Sequence, residues 1–253
     1  MSEVEFLVQD NVAIVTINRP GARNAINLNV AQEIEAALER IESDPDIRVG
    51  IVTGAGGNFC AGMDLKGFLK GERPRTAKGG FAGITKAKLK KPMIAAIEGY
   101  ALAGGFEIAL ACDLIVVGEG AKVGVPEVKR GLVANAGGLL RLPRQLPERI
   151  AAEMVLTGDL YSVRDLAVYG LFNRVVPDGQ ALAEAQALAG KIAANGPLAL
   201  AASKHVLRAS RLWAEDEMFA QQDAITLPVF DSADAREGAA AFAEKRAPVW
   251  RGA

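Results

Sequence analysis

Short apolar runs separated by glycine-rich loops and helical segments restrict the fold of this 253-residue chain more than any other feature. Residues 49–54, 93–99 and 113–117 have the length and composition of buried strands. Residues 4–17 read as two strands around a turn, and 28–43 place apolar side chains on one helical face. Strands therefore alternate with helices, which predicts an α/β fold of βαβ-type units over about the first half.

The second half of the sequence is predicted to be mostly helical. One helix is expected at 147–156, and a second begins at a capping box formed by Ser162 and Asp165. Two alanine-rich helices follow, and a short strand at 172–176 interrupts the helical region. Residues 65–91 are polar and weakly periodic, which predicts a mobile loop with a short helix. No repeat and no linker rich in Pro, Gly or Ser divides the chain.

Composition argues against several classes of function. The net charge of −1 gives no overall field that would favour nucleic acid or an anionic membrane. The N-terminus lacks the pattern of a secretory signal, and the apolar runs are too short to span a bilayer. Two cysteines, Cys60 and Cys112, fit a reducing cytoplasm better than a disulfide framework. The single histidine, His205, makes a metal site unexpected and is predicted to lie on a helix surface.

Two glycine-rich loops follow predicted strands, at 53–65 and at 99–114. The first has Phe59 where a dinucleotide fingerprint needs glycine and lacks the Gly-Lys-Ser/Thr of a P-loop, and the chain has no G-x-S-x-G motif. Each loop alone could be only a tight turn. Both lead towards helices, however, where backbone N–H groups are unpaired. The N–H groups of Met63 and Gly104 could therefore converge on one oxygen as an oxyanion hole.

One carboxylate, Glu107, lies among small apolar residues of the second loop. Poor hydration raises the pKa of a carboxyl group, so Glu107 is a candidate for proton transfer. The alternative is an ordinary glutamate on a helix surface. Glu127, which follows a proline, would by itself be interpreted as a loop acid.

Four motifs together are similar to the enoyl-CoA hydratase, or crotonase, superfamily. They are NRPGARNAIN (18–27), GGNFCAGMDL (56–65), GYALAGGFEIALACDL (99–114) and VGVPEVKRGLVANAGGLLRLPR (123–144). The resemblance implies a crotonase (ClpP-like) spiral of ββα turns with the active site over 1–195, and a helical trimerisation region over 196–253. It also implies a homotrimer or dimer of trimers that acts on acyl-CoA thioesters. CoA is then part of the substrate, no separate cofactor is needed, and neither nucleic acid nor membrane is a partner.

Glu107 and Glu127 match the two glutamates of hydratases in this family. Adding water across the C2=C3 bond needs a base for water and an acid for C2, and it places charge on the thioester oxygen as an enolate. The amides of Met63 and Gly104 would stabilise that charge, and glycine at 104 would let the thioester approach closely. Glu107 would be the ionised partner that activates water, while Glu127 would transfer the proton at C2, as one microstate of a coupled pair. Asp113 is interpreted as structural, bonding nearby amides.

The resemblance also implies a bent CoA, with the adenine near 23–25 and the pantetheine along 61–66. The residues assigned to CoA are Arg23, Ala25, Ala61, Asp64, Leu65 and Lys66, together with Phe242 and Lys245 near the nucleotide of a neighbouring subunit. Arg23 could meet a phosphate through two hydrogen bonds. The basic run at 86–91 is better explained as a solvated helix end.

Two departures from the usual hydratase pattern leave the acyl group open. Asn135 stands where many members have glycine, and Phe106 is bulkier than the residue often found there. Both features are similar to the carnitinyl-CoA dehydratase branch, whose acyl group is polar. The predicted function is enoyl-CoA hydratase. The alternatives are a dehydratase of a polar acyl-CoA, a double-bond isomerase that uses Glu127 alone, and an acyl-CoA-binding protein without catalysis.

Overall fold

The computed structural model describes residues 2–253, and within that range it has eleven strands and ten α-helices. The strands are β1 (Val4–Gln9), β2 (Val12–Ile17), β3 (Val49–Gly54), β4 (Arg75–Thr76), β5 (Gly80–Phe81), β6 (Met93–Ile97), β7 (Tyr100–Leu102), β8 (Leu114–Gly118), β9 (Lys122–Gly124), β10 (Tyr161–Ser162) and β11 (Arg174–Val176). The helices are α1 (Leu28–Ser43), α2 (Leu65–Leu69), α3 (Gly104–Ala111), α4 (Gly138–Gln145), α5 (Glu148–Thr157), α6 (Val163–Ala167), α7 (Ala181–Ala193), α8 (Pro197–Ala209), α9 (Met218–Phe230) and α10 (Ala233–Glu244).

Most strands belong to one of two sheets that the chain visits in turn. The larger sheet has the order β1-β2-β3-β6-β8-β11, in which only β1 and β2 are antiparallel neighbours. The smaller sheet has the order β10-β9-β7. Strands β6 and β8 lie in the larger sheet, and β7 and β9, which follow them directly, lie in the smaller one. With α3 between β7 and β8, this is the spiral of ββα turns that the resemblance implies, and the α/β prediction is confirmed.

Local sequence signals explain why α1 forms where it was predicted. The side chain of Asn27 accepts a hydrogen bond from the Val30 amide at 2.8 Å and so caps the first turn. Val30, Ile34, Leu38 and Ile41 are buried along one face at the spacing of an amphipathic helix.

The segment 65–91 contains more structure than its sequence indicated. The short helix is present as α2, but a two-stranded antiparallel ribbon of β4 and β5 follows it. Two-residue strands are too short to show an alternating apolar pattern, so the ribbon left no sequence signal. The strand predicted at 172–176 is also shorter, because only Arg174–Val176 pairs with β8.

Both faces of the larger sheet are covered, as parallel sheets require. One face packs against α1 and α3 in the main core. The other face packs against α7, whose buried alanines recur every four residues. They are Ala181, Ala185, Ala189 and Ala193. Small side chains at this spacing let the helix lie close to the strands.

Asp113 is structural, as predicted, and it does more than bond an amide. Its carboxylate accepts from the Met93 amide at 2.8 Å and forms ion pairs of 2.8 Å with Lys204 and Arg208 of α8. Lys204 is buried and also donates to the Lys91 carbonyl at 2.6 Å. The ion pairs therefore join the first helix after the predicted boundary at 195/196 to the central sheet. His205, on the same helix, is exposed as expected.

The helix α9 differs from the other long helices because none of its residues is buried in the single chain. Phe219, Leu227 and Phe230 expose 57–75% of their surface there. Within residues 2–253, no helix has both the length and the apolar character needed to cross a bilayer.

Candidate active site

A cavity of about 410 Å³ lies beside the N-terminus of α3. Six residues that the sequence assigned to the site line it together. They are Ala61, Met63, Leu65, Gly104, Glu107 and Glu127. These residues come from three separate segments of the chain, so it is the fold that brings them together.

The two glycine-rich loops meet through backbone pairing and a glycine. The Cys60 amide donates to the Tyr100 carbonyl, and the Leu102 amide donates to the Cys60 carbonyl, both at 2.9 Å. Gly62 has φ +95°, and a Cβ there would lie 2.8 Å from the Ala103 Cβ and 3.3 Å from the Gly104 nitrogen. Only glycine combines this φ with so close an approach. Gly62 therefore permits the first loop to contact the start of α3.

The amides of Met63 and Gly104 are both available for a ligand. Neither donates a hydrogen bond to any residue in the described range 2–253. Gly104 is the first residue of α3, where the N–H has no partner within the helix. The preceding residue, Ala103, has φ 53° and ψ −130°, which is a conformation that non-glycine residues rarely adopt. Strain of this kind concentrates at functional sites.

The space around Gly104 differs from what the sequence suggested. A Cβ at this position would overlap the ring of Phe81, which also lines the cavity. The sequence-based argument expected such a Cβ to disturb the substrate or the amide directly. In the structure, the first group in its way is an aromatic side chain of β5.

Glu107 is 2% exposed and is held by the start of a second helix. Its Oε1 accepts from the Gly138 amide at 2.7 Å, at the first residue of α4. Burial raises the pKa of Glu107 to about 7, the amides of Gly138 and Ala136 act against that rise, and the charge of Glu127 adds to it. Glu107 can therefore gain or lose a proton near neutral pH.

Glu127 is the less satisfied of the two carboxyl groups. It is 8% exposed and lies in a 3₁₀ helix, Pro126–Arg130. Burial raises its pKa, against the opposing effects of a backbone hydrogen bond and of Arg130. Its Oε2 is buried and finds no hydrogen-bond partner within residues 2–253. A buried oxygen without a partner is costly, so this atom is suited to a reacting group.

The raised pKa of Glu107 predicts a pH dependence of stability. The folded chain holds a proton up to a pH of about 7, whereas the unfolded carboxyl group releases it near 4.5. Unfolding therefore releases a proton in this window, and the free energy of unfolding should fall as pH rises through it, by at most about 3 kcal/mol. Denaturant unfolding at pH values of about 5 and about 7.5 measures the slope. Glu107→Gln should flatten it, and an unchanged slope in that variant would contradict the assignment.

The residues assigned to CoA are divided between the cavity edge and the surface. The Ala61 amide donates to the Arg23 carbonyl at 3.0 Å, which brings the segment 23–25 beside the first loop. Arg23 is exposed, and its guanidinium carbon lies 5.7 Å from the ring centroid of Tyr100. Lys66 is also exposed.

Asp64 and Ala25, which were also assigned to CoA, make hydrogen bonds within the chain. The carboxylate of Asp64 caps α2 by accepting from the Lys66 and Gly67 amides, and it pairs with Arg19 at 3.2 Å. The Ala25 carbonyl accepts from the same arginine. These groups therefore already have partners within the chain. Phe242 and Lys245, at the end of α10, do not line the cavity of their own chain.

Of the two departures from the hydratase pattern, only one reaches the cavity. Asn135 lines it. Phe106 is fully buried in the main core and does not line it. Phe106 therefore has no direct contact with a group bound in the cavity.

Sequence reasoning also missed part of the cavity wall. Phe68, Phe81, Leu132 and Val133 supply apolar surface, and Arg73, Arg75 and Arg130 supply charge. Several of these residues lie in the weakly periodic segment 65–91, which gave no signal. The Gly138 amide was missed because its contact with Glu107 depends on tertiary packing.

Residues 8–253 match the family described as enoyl-CoA hydratase/isomerase. The chain belongs to this family. The solved structure of the enoyl-CoA hydratase EchA1 from Mycobacterium marinum is 52% identical, with a TM-score of 0.97 over 100% of both chains. The family prediction and the predicted crotonase fold are thus confirmed.

Relatives in the family have names of two kinds. The enoyl-CoA hydratase EchA19 from Mycobacterium tuberculosis is 45% identical over 242 residues, or 93% of this chain and 91% of its own. A carnitinyl-CoA dehydratase from Proteus mirabilis is 42% identical over 257 residues, or 98% of each chain. Both names describe enzymes that add or remove water.

Proposed function

We propose that this protein is an enoyl-CoA hydratase that adds water reversibly, with syn geometry, across the C2=C3 bond of a 2-enoyl-CoA thioester. The observation that carries the proposal is the shared cavity of Glu107 and Glu127, two buried carboxyl groups with raised pKa values. The same cavity holds two backbone amides, of Met63 and Gly104, that have no partner among residues 2–253. Hydration needs both proton transfer and stabilisation of an oxyanion.

The amides would act on the thioester oxygen. As the water oxygen bonds to C3, the electron pair of the C2=C3 bond moves towards C1 and leaves an enolate oxygen. Met63 and Gly104 would each donate to that oxygen, and each such donor is worth about 3 kcal/mol in comparable sites. This oxyanion hole needs no metal or cofactor.

The two carboxyl groups would divide the proton transfers. With a pKa of about 7, Glu107 is ionised in a large fraction of molecules at neutral pH, and in that form it would orient and activate the attacking water. Glu127, whose Oε2 finds no donor within the described range 2–253, would supply the proton to C2. Because the two groups interact, these roles describe one microstate of the pair.

A carnitinyl-CoA-type dehydratase is the second candidate. Its support is the 42% identical relative from Proteus mirabilis and the polar side chain of Asn135 in the cavity. Elimination of water from a 3-hydroxyacyl-CoA uses the same groups in reverse, so the two candidates differ in the acyl group and the direction.

Incubation of a short 2-enoyl-CoA in heavy-oxygen water tests the proposal. We expect 3-hydroxyacyl-CoA that carries the label at C3, beyond the level formed without enzyme. An unlabelled product with a shifted double bond would instead identify an isomerase. Tight binding of acyl-CoA without any turnover would identify a binding protein.

The proposal includes CoA bound in a bent form across the cavity edge. Its adenine would lie near Arg23 and Ala25, and its pantetheine would follow residues 61–66. The hydrogen bond between the Ala61 amide and the Arg23 carbonyl supports this path, because it holds the two segments side by side.

We also propose a homotrimer or a dimer of trimers as the assembly. Its support is the unburied apolar surface of α9 and the 87% exposure of Phe242, which would meet a neighbouring subunit. Analytical ultracentrifugation should give the mass of three or six chains, and a monomer would contradict the proposal. A cytoplasmic location would suit Cys60 and Cys112, which are buried free thiols.

A further inference from the structure

Three arginines line the cavity, and the mechanism uses none of them. Arg73 precedes β4, Arg75 is the first residue of β4, and Arg130 comes from the 3₁₀ helix that carries Glu127. Among the described residues, the charged side chains that line the cavity are Glu107, Glu127 and these arginines. The wall outside the reacting centre is therefore basic.

The position of Arg130 relates this charge to Glu127. Arg130 follows Glu127 by three residues, and side chains three apart eclipse one another in a 3₁₀ helix. The rise of about 2.0 Å per residue places the Arg130 backbone about 6 Å further along the helix axis, but its Nη1 donates back to the Pro126 carbonyl at 3.3 Å. Its charge also acts to lower the pKa of Glu127. The guanidinium group of Arg130 thus lies beside the turn that carries Glu127, the group proposed to act at C2.

A second guanidinium group of the cavity wall is held by local contacts. Arg73 lies over the ring of Phe68, with its guanidinium carbon 4.1 Å from the centroid. It donates to the carbonyls of Phe68 and Glu72 through one nitrogen, Nη1. Within residues 2–253, the side chain of Arg130 likewise donates only to the Pro126 carbonyl, at 3.3 Å.

Most of the donors on these arginines are unused. A guanidinium group has five N–H donors, and within residues 2–253 the side chain of Arg75 makes no hydrogen bond. None of the three arginines forms an ion pair with a carboxylate of the described chain. Each of the three groups is thus able to donate charge-assisted hydrogen bonds to an anion in the cavity.

We propose that Arg73, Arg75 and Arg130 bind a carboxylate at the far end of the acyl chain, so that the preferred substrate is an enoyl-CoA with an anionic tail. The inference rests on the proposed hydratase function of the same cavity. Leu132 and Val133 would contact the methylene groups between the double bond and the carboxylate. A tail with a quaternary ammonium group would be repelled by the same arginines.

The test compares three 2-enoyl-CoA substrates of about eight acyl carbons that differ only at the tail. One ends in a carboxylate, one in its methyl ester and one in a trimethylammonio group. We expect kcat/KM for the carboxylate to exceed that for the ester by at least about tenfold at low ionic strength. The trimethylammonio substrate should be poorer than the ester. Added salt should reduce the preference, because the arginines are exposed at the rim.

Arginine variants then distinguish binding of the acyl tail from binding of the CoA portion of the substrate. Arg130→Gln and Arg75→Gln should each lower the carboxylate-to-ester ratio towards one. The ratio is the readout, because removing Arg130 also changes the pKa of Glu127 and so alters both rates. Arg149→Gln is the matched control, since Arg149 is an exposed residue of α5 outside the cavity, and it should keep the parental ratio.

Two results would overturn the inference. One is a carboxylate-to-ester ratio of one or less in the parent protein. The other is an equal loss for both substrates and for free CoA in the arginine variants, which would mean that the arginines contact the CoA phosphates. Calorimetric Kd values for the matching saturated acyl-CoAs give the same ratio without turnover. If hydration is absent but the Kd ratio holds, the hydratase function fails and the anion site stands.

Discussion

Glu127→Gln and Glu107→Gln are each expected to lower kcat for enoyl-CoA hydration by at least about 10²-fold. Glutamine keeps the shape of glutamate, and at position 107 its carbonyl can still accept from the Gly138 amide. It cannot exchange the proton that the reaction needs. Loss of the enoyl thioester absorbance measures the rate, and calorimetry should find CoA binding nearly unchanged.

The control for this pair is Glu148→Gln, which makes the same chemical change at an exposed position on α5. It should hydrate the substrate at the parental rate. Circular dichroism and thermal melting should show that all three variants are folded. Parental kcat in either active-site variant would refute the two-glutamate mechanism.

Gly104→Val is expected to reduce the hydration rate by about a hundredfold while the protein stays folded. The loss corresponds to about 3 kcal/mol of enolate stabilisation, the amount that one amide donor supplies in comparable sites. The new side chain would meet the ring of Phe81, so the start of α3 must shift or the ring must move. Displacement of the amide by about 1 Å is enough to cost this much catalysis. Steady-state kinetics, together with a melting curve, tests the expectation.

A second variant separates the amide from the aromatic ring. Gly104→Val is combined with Phe81→Ala, which removes the ring that the valine would strike, and is compared with Phe81→Ala alone. If the double variant is still about a hundredfold slower than Phe81→Ala alone, the effect belongs to the amide. Recovery to the Phe81→Ala rate would assign it to the displaced ring, and parental turnover by a folded Gly104→Val would place the second donor elsewhere.

The residues of the candidate site that lie in local motifs were the ones that sequence could predict. A strand, a glycine-rich loop and a helix start mark Met63 and Gly104, and Glu107 follows within one helical turn. The structure places all three in one cavity. Their roles remain predictions, because geometry alone does not measure catalysis.

The features that sequence could not predict depend on contacts between distant segments. Gly138 reaches Glu107 across 31 residues of chain, and Asp113 reaches Lys204 of α8. Phe106 could not be assigned to the core from sequence for a related reason. It is next to Glu107 in sequence, but neighbours on a helix point about 100° apart, so one faces the core and the other the cavity.

The strained backbone of Ala103 lowers the stability of the fold and at the same time positions the amide that catalysis would use. An alanine held at φ 53° and ψ −130° costs about 1–3 kcal/mol, and it lies directly before the amide that would bind the enolate. The remaining structure must supply that energy, partly through the hydrogen bond from the Ala103 amide to the Gly124 carbonyl at 2.8 Å. Selection for greater thermal stability would therefore act against the peptide geometry that turnover needs, and heat resistance in such an enzyme has to come from elsewhere in the fold.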